Sequence, residues 1–505
     1  MTVPGGSHNT DRDSQTLLSC LFACASRLPA RIAIRSETET LDYAQFRSRI
    51  VTPAAALRSL GVAYRDRVLI CVPNGPDFPV LYFAVHALGA AVVPVPADTP
   101  GAVLAALAED CSPSLAVLAR ELPAMPCPVC HPSELISLQG AEVEPVCSSG
   151  DIADILYTTG TTGKKKGVVL THANVLAAAS NMGQFIGTNA QDVEVMPLPL
   201  SHSFGLGRLR SLALVGHTLI VGTGVGVGVS VIRQLIENQA TGLALVPAAV
   251  EILRRTTGDS LGRAGEHLRY IEIGSAPMRP QTRDWLMRML PGTRICHHYG
   301  LTEASRAAFT EYHADRDRPG TAGRASPGVA LTICDESGSA LSPGQTGEVV
   351  VSGGMVMREY WNQPSLTHEA FCEHGLRTGD IGFLDSDGYL FLLGRKTDLI
   401  NVGGRKVVPD EVEENLRKVS GIRDAACVGE DDPLTGQRVK AYLVADRPLD
   451  VSFVANALRT QLEEYKIPKS LEFVKEMPRT NSGKLQRHLL RATPQSQTNK
   501  EPHGS

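Results

Sequence analysis

The densest chemistry in the chain lies in Tyr157-Thr-Thr-Gly-Thr-Thr-Gly-Lys-Lys-Lys-Gly-Val168. Gly160 and Gly163 leave the backbone free to curl around an anion. Thr158, Thr159, Thr161 and Thr162 offer hydroxyl donors to phosphate oxygens, and Lys164, Lys165 and Lys166 add positive charge. The run follows a strand-like segment, 152–157, as a phosphate cradle should; the plainer reading is a flexible loop. No G-x-x-x-x-G-K-[ST] spelling fits, so it is not a Walker A loop. Two other runs invite chemistry and do not hold it. Val221-Gly-Thr-Gly-Val-Gly-Val-Gly228 misses the G-x-G-x-x-G spacing and reads as a turn-rich loop. Cys127-Pro-Val-Cys130-His131 spells a haem-attachment motif. With no export signal and no second ligand pair for zinc, it reads as a loop carrying two reduced thiols.

These residues need elements to aim them. From Arg67 the pattern is strand (68–72), turn (73–76), helix (79–88) and strand (91–95), a βαβ unit. It recurs at 243–255 and at 270–273, which ends in a Gly-Ser-Ala-Pro turn. Such repetition predicts parallel sheets covered by helices. Between 328 and 394 short strands, such as 348–351 and 389–393, alternate with Gly and Asp turns. After Gly394 an amphipathic helix spans 409–419, with Pro at its start, acids in its first turn and Val412, Leu416 and Val419 as a buried stripe. Strands at 425–428 and 439–444 and a helix over 451–464 follow. The expected fold is α/β. Residues 15–394 form a large N-terminal domain of stacked α/β sheets plus a small β-rich part, and 395–492 form a small mobile α+β C-terminal domain. Residues 1–14 and 493–505 are polar tails, expected to be disordered.

Composition narrows the class. Of 505 residues, 43% are hydrophobic and 20% charged, a globular balance. A formal charge of −4 argues against a nucleic-acid partner. The apolar stretch 81–97 is broken by His86, Pro94 and Pro96, so no stable membrane insertion is expected. Eleven scattered cysteines suggest reduced thiols in the cytoplasm.

The loop at 157–168 resembles the phosphate-binding signature of the acyl-adenylate-forming superfamily, which holds acyl-CoA synthetases, peptide-synthetase adenylation domains and firefly luciferase. Further segments resemble its motifs in the family's order: Asp42-Tyr-Ala-Gln-Phe46, His86-Ala-Leu-Gly-Ala-Ala-Val-Val-Pro-Val95, Pro197-Leu-Pro-Leu-Ser-His-Ser-Phe-Gly205, Tyr299-Gly-Leu-Thr-Glu303, Arg377-Thr-Gly-Asp380, Gly394-Arg395 and Asn481-Ser-Gly-Lys484. The chain is most similar to a stand-alone acyl-CoA synthetase. The resemblance implies attack of a carboxylate on the α-phosphorus of ATP, then transfer of the acyl group to coenzyme A. Both first reactants are anionic, so positioning and charge neutralisation do most of the work.

By the same resemblance Thr158, Thr159, Gly160, Thr161, Thr162, Gly163 and Lys166 would steady the β and γ phosphates. Thr302 would hold the α-phosphate and Glu303 would bind Mg2+. Tyr299 and Gly300 would lie on the adenine face, with Gly274, Ser275 and Ala276 beside the base. Asp380, supported by Arg395, would take the ribose hydroxyls. Lys484 would bridge carboxylate and α-phosphate, His202 would gate the acyl and thiol channels, and Phe204 and Leu206 would line the acyl pocket. Gly403, Gly404 and Arg405 would line the coenzyme A channel once the C-terminal domain turns about a hinge near Thr397. Out of this context a lone lysine, a core histidine or an Asp-Gly turn would carry no function.

Lys165 replaces the usual proline of the phosphate loop, and Thr397 the usual Asp or Lys of the hinge. The acid-pocket segment carries no carboxylate to pair with an α-ammonium, which points to a hydrophobic acid of fatty-acid or secondary metabolism. Arg208 and Arg210, next to Phe204 and Leu206, are expected at solvent or facing phosphate. No carrier domain is evident, so the thiol is expected from free coenzyme A. The alternatives are a carrier protein, an amine acceptor, or a non-catalytic nucleotide sensor on the same fold.

Overall fold

The computed structural model describes residues 15–121, 125–137, 146–159, 165–222, 228–459, 461–479 and 485–491. The chain divides into two compact units. One runs to Thr378 and includes Phe383–Phe391; the other takes Gly379–Gly382 and the chain from Leu392 onward.

The first unit is built on two α/β sheets. In a nine-stranded sheet, Ile32–Arg35, Thr218–Ile220, Val193–Val195, Gly242–Leu245, Tyr270–Ile273 and Arg294–Tyr299 lie side by side and parallel. Ala308–Glu311 then pairs antiparallel with Arg294–Tyr299. Strands covered on both faces are largely apolar, and every residue of Tyr270–Ile273 and Gly242–Leu245 is buried, with Glu272 the one charged side chain among them. The expected βαβ unit is present in a seven-stranded sheet: Arg67–Cys71 pairs parallel with Ala91–Pro94 across the helix Asp77–Ala87. Pro79 is tolerated there because first-turn nitrogens have no intrahelical acceptor. On the other flank of this sheet, Ile152–Thr159 turns back antiparallel into Lys165–Thr171, and Glu359–Tyr360 adds an edge strand.

The early motif at 42–46 has a plain structural meaning. Asp42 and Gln45 form a capping box that starts the helix Tyr43–Ser59. The buried Tyr43 hydroxyl donates to the His217 carbonyl at 2.7 Å. The β-rich part is an antiparallel sheet that includes Val329–Cys334, Gly347–Gly353, Phe371–Cys372 and Gly375–Leu384.

In the second unit, Ile422–Asp432 and Gly436–Ala445 form a long antiparallel pair, with Ser470–Phe473 parallel alongside. The helix Pro409–Leu416 lays Val412 and Leu416 onto this sheet as expected, and Val419, past its end, is still buried in the same core. The helix expected over 451–464 stops earlier, at Leu458. Asp450 caps its start, and Glu464–Lys466 forms a separate 3-10 turn.

Candidate active site

The phosphate-loop strands are in register with Thr158 opposite Lys166 and Thr159 opposite Lys165. Gly160, Thr161, Thr162 and Gly163 lie outside the described residues, as does most of the glycine run after Val221. The hairpin base is fixed from outside by the edge strand. Tyr360 pairs with Val168, and the Trp361 nitrogen donates to the Gly167 carbonyl at 2.7 Å. Tyr157 donates its hydroxyl to Asp110, and the Trp361 indole donates to the Asp110 carbonyl at 3.2 Å.

The same edge strand reaches Glu303. The Tyr360 hydroxyl donates to Glu303 Oε1 at 2.9 Å, while the Lys166 ammonium sits 5.1 Å from the centre of the Tyr360 ring. One aromatic side chain thus links the phosphate hairpin's lysine to the acid expected to bind metal. Glu303 is half-buried, and its carbonyl accepts from Met357 N at 2.8 Å. Among the described residues no cluster of three or more His, Cys, Asp or Glu could cage a metal. A single carboxylate fits Mg2+, which keeps several waters and takes its remaining oxygens from substrate phosphates.

Tyr299, Gly300, Thr302 and Glu303 leave the end of the strand Arg294–Tyr299, beside Gly274–Ala276, which leaves the end of the neighbouring strand Tyr270–Ile273. Ligands bind at such carboxyl ends in open α/β sheets. The segment Gly274–Ala276 is tightly braced. His297 Nε2 lies 3.0 Å from the Ala276 carbonyl, and its Nδ1 lies 2.7 Å from the Tyr312 hydroxyl. Burial draws His297 down to about 4. Ser275 takes a left-handed φ of 79°, a strained choice for a non-glycine. Gly274 has no such freedom of substitution, because a Cβ there would overlap the His298 imidazole.

His202 is exposed at the N-cap of the helix Ser203–Val215, Phe204 lies in the helix's first turn, and Leu206 is fully buried. Asn74 holds the preceding segment: its amide donates to the Leu198 carbonyl and its oxygen accepts from Leu200 N, both at 3.1 Å. Arg208 and Arg210 are not at solvent. Both are buried, 0% and 2% exposed. Arg208 is paired with Glu194 and lies 3.3 Å from Glu272, and Arg210 meets Asp154 at 2.7 Å. The helix is covered on all sides, so its charges had to find partners inside the protein. A sequence signal for this exists: Glu194, Glu272 and Asp154 are lone acids within otherwise apolar strands. Arg306 completes the network, donating to Glu272 at 2.7 Å and to the Phe204 carbonyl at 3.2 Å. Burial works to raise the Glu272 pKa, but Arg306, His298 and Arg208 together hold it well below the usual carboxylate range.

In the second unit, Arg395 Nε meets Asp380 Oδ1 at 2.8 Å, the pairing expected of a supported ribose acceptor. Gly403 and Gly404, at φ 58° and 82°, make the two-residue turn between Ile400–Val402 and Arg405–Val407. Arg405 stacks its guanidinium 4.2 Å from the Tyr465 ring centre. Thr397 lies in a short 3-10 turn, Lys396–Asp398. Lys484 lies outside the described residues. Tyr360, Glu272 and the His297-His298 pair were not singled out from sequence. Tyr360 and Glu272 act through partners far away in the chain, which no local spacing reveals.

The family model described as "AMP-binding enzyme" matches residues 21–361, and "AMP-binding enzyme C-terminal domain" matches 411–484. The long-chain-fatty-acid–CoA ligase FadD13 of Mycobacterium tuberculosis is 30% identical over 472 residues, 89% of this chain and 92% of that protein. The indoleacetate–CoA ligase of Aromatoleum aromaticum is 31% identical over 490 residues, 92% and 95% of the two chains. Among solved structures, o-succinylbenzoate CoA synthetase (MenE) from Bacillus subtilis, in complex with its acyl-adenylate intermediate, matches with a TM-score of 0.87. It shares 26% identity and covers 96% of this chain and 100% of its own.

Proposed function

The chain belongs to the AMP-binding enzyme family, and on that premise we propose that it is an ATP-dependent, AMP-forming acid–CoA ligase. It activates a carboxylic acid as the acyl-adenylate, releasing pyrophosphate, and transfers the acyl group to coenzyme A to give a thioester and AMP. The relatives are named as CoA ligases for long-chain fatty acids and indoleacetate and as a CoA synthetase for o-succinylbenzoate, each a carboxylic acid. The observation that carries the reading is the Lys166–Tyr360–Glu303 arrangement. It presents one cation and one carboxylate beside the paired strands Ile152–Thr159 and Lys165–Thr171, which suits a metal-bound polyphosphate.

In this proposal Glu303 would hold Mg2+, which would supply charge neutralisation for the phosphates. Thr302 holds the α-phosphate, the hairpin threonines and Lys166 hold the outer phosphates, and Gly274–Ala276 with Tyr299 hold the base. Asp380 takes the ribose, its carboxylate aimed by Arg395. Lys484 belongs to the adenylation half-reaction alone, and Gly403, Gly404 and Arg405 to the thiol step. Free coenzyme A is the acceptor, in preference to a carrier protein or an amine, and the setting is the reducing cytoplasm.

The test is acid-dependent ATP–pyrophosphate exchange across fatty, aryl and terpenoid acids, with mass detection of the coenzyme A thioester. Lys484→Ala is expected to lower exchange by about a hundredfold or more, the scale of losing a transition-state charge contact. Thioester formation from supplied acyl-AMP should persist in that variant. Exchange without a thioester would move the acceptor to a carrier or an amine. Exchange at the wild-type rate in Lys484→Ala would remove that lysine from the chemistry.

A further inference from the structure

In the ligase reading Phe204 lines the acid pocket and Gly274 lies beside the base, which sets the acid's reacting carboxylate between them. That space holds His298. Its ring stands edge-on to Phe204, with centroids 4.8 Å apart and planes at 80°, and edge-on to Phe309 at 5.7 Å. The imidazole also rests on the bare Cα of Gly274, where no other residue would leave room for it.

His298 is not free to swing aside. Its Nδ1 lies 2.9 Å from Glu272 Oε1, and its side chain is 9% exposed. Glu272 is itself fully buried and pinned by Arg306 and Arg208. Arg306 also lies over Phe204, its guanidinium carbon 5.2 Å from the ring centre. Behind Phe204 the helix presents Arg208, joined to Glu194 and Tyr270, in place of an apolar channel. A long acyl tail passing between these elements would have to displace a paired, fully desolvated charge network, and separating its members leaves buried charges uncompensated.

We propose that His298, held by the buried Glu272–Arg306–Arg208 network, is the specificity-determining residue that closes the depth of the acid pocket, and that the substrate is a compact carboxylic acid, not a long-chain fatty acid. The proposal rests on the acid–CoA ligase reading and narrows it. A compact aryl or short aliphatic acid can pack against the Phe204 ring and the face of the imidazole without disturbing the network. A chain that runs on past them meets His298. Each added methylene that no longer fits is expected to lower kcat/KM by about tenfold or more.

The experiment is a length profile. ATP–pyrophosphate exchange is measured with straight-chain acids from acetate to palmitate and with arylacetates, for the wild type, His298→Ala and His298→Asn. The wild type is expected to work on the compact acids and to fall away steeply as the chain lengthens. His298→Ala should move the optimum towards longer acids, changing the long-to-short ratio of kcat/KM by about tenfold or more. His298→Asn, shorter but still polar, should shift it in the same direction by less. That ratio is internal to each variant, so a general loss of folded enzyme does not move it. Palmitate as the preferred wild-type acid would overturn the pocket assignment and leave the ligase reading standing. A profile unchanged in both variants would also overturn it. Absence of exchange with every acid in the wild type would overturn the ligase reading itself, and this proposal with it.

Discussion

Tyr360 shows how a single side chain can join two functional groups that the sequence keeps far apart. Its ring lies beneath the Lys166 ammonium and its hydroxyl donates to Glu303. Tyr360→Phe keeps the ring and removes only the donor, so the hairpin stays braced while Glu303 loses its orientation. Hydrogen bonds to a charged group contribute about 1.5–3 kcal/mol. Binding of Mg·ATP, followed by calorimetry, should therefore weaken by about tenfold or more, whereas ATP binding with the metal chelated should change little. Equal losses with and without metal would mean that Tyr360 only supports the fold. Glu303 and Lys166 stand out in the sequence through their motifs. Tyr360 was not, because what matters about it is an edge-strand register that brings residue 360 beside residue 168.

Among the elements, the helix Ser203–Val215 departs most from expectation. Its sequence alternates small, apolar and cationic residues, and cations on a helix normally mark its wet face. Here the helix is covered on all sides, and three acids from neighbouring strands make the burial of Arg208 and Arg210 tolerable. Close approach also sets the helix's small residues. A Cβ on Gly205 would overlap the Pro199 carbonyl and crowd the Leu200 Cα, both backbone atoms that cannot turn away as a side chain could. Gly205→Ala should therefore destabilise the protein by about 1–3 kcal/mol, the usual range for overpacking. It should also displace the segment that carries His202. A denaturant midpoint equal to the wild type's would show that the segment yields freely. The strand expected before the phosphate loop, by contrast, is present and runs on to Thr159, and Lys165–Thr171, expected in part as loop, pairs back against it.

At the scale of the whole molecule, buried imidazoles set the response to acid. Burial draws His86 and His172 from the ordinary 6.5 to about 3, and His297 to about 4. His86 and His172 stand edge-on, 4.9 Å apart, and neither nitrogen of His172 finds a hydrogen-bond partner among the described residues. In the unfolded chain these rings take protons as the pH falls through about 6.5; in the folded chain they resist until far lower. The unfolded state thus binds more protons throughout that window, and stability falls as pH falls. Unfolding midpoints are expected to be level above about pH 6.5 and to decline progressively towards about pH 4. A profile that stays level across that window would show these histidines to be charged or exposed in the native protein.

Residue types and their spacing suffice for the class of the protein: parallel α/β sheets, a small α+β unit after them, and an order of motifs that names the chemistry. Those features are local. A strand's apolar run and a capping box each act within a few residues of themselves, so their spelling is enough. Where the charges went was settled only by the tertiary structure. Arg208, Glu272 and Arg306 belong to a helix, a strand and a loop that meet only after folding. Burial then reverses the meaning of their type, because an arginine that reads as solvent-facing in a helix becomes a fixed wall once desolvation obliges it to stay paired.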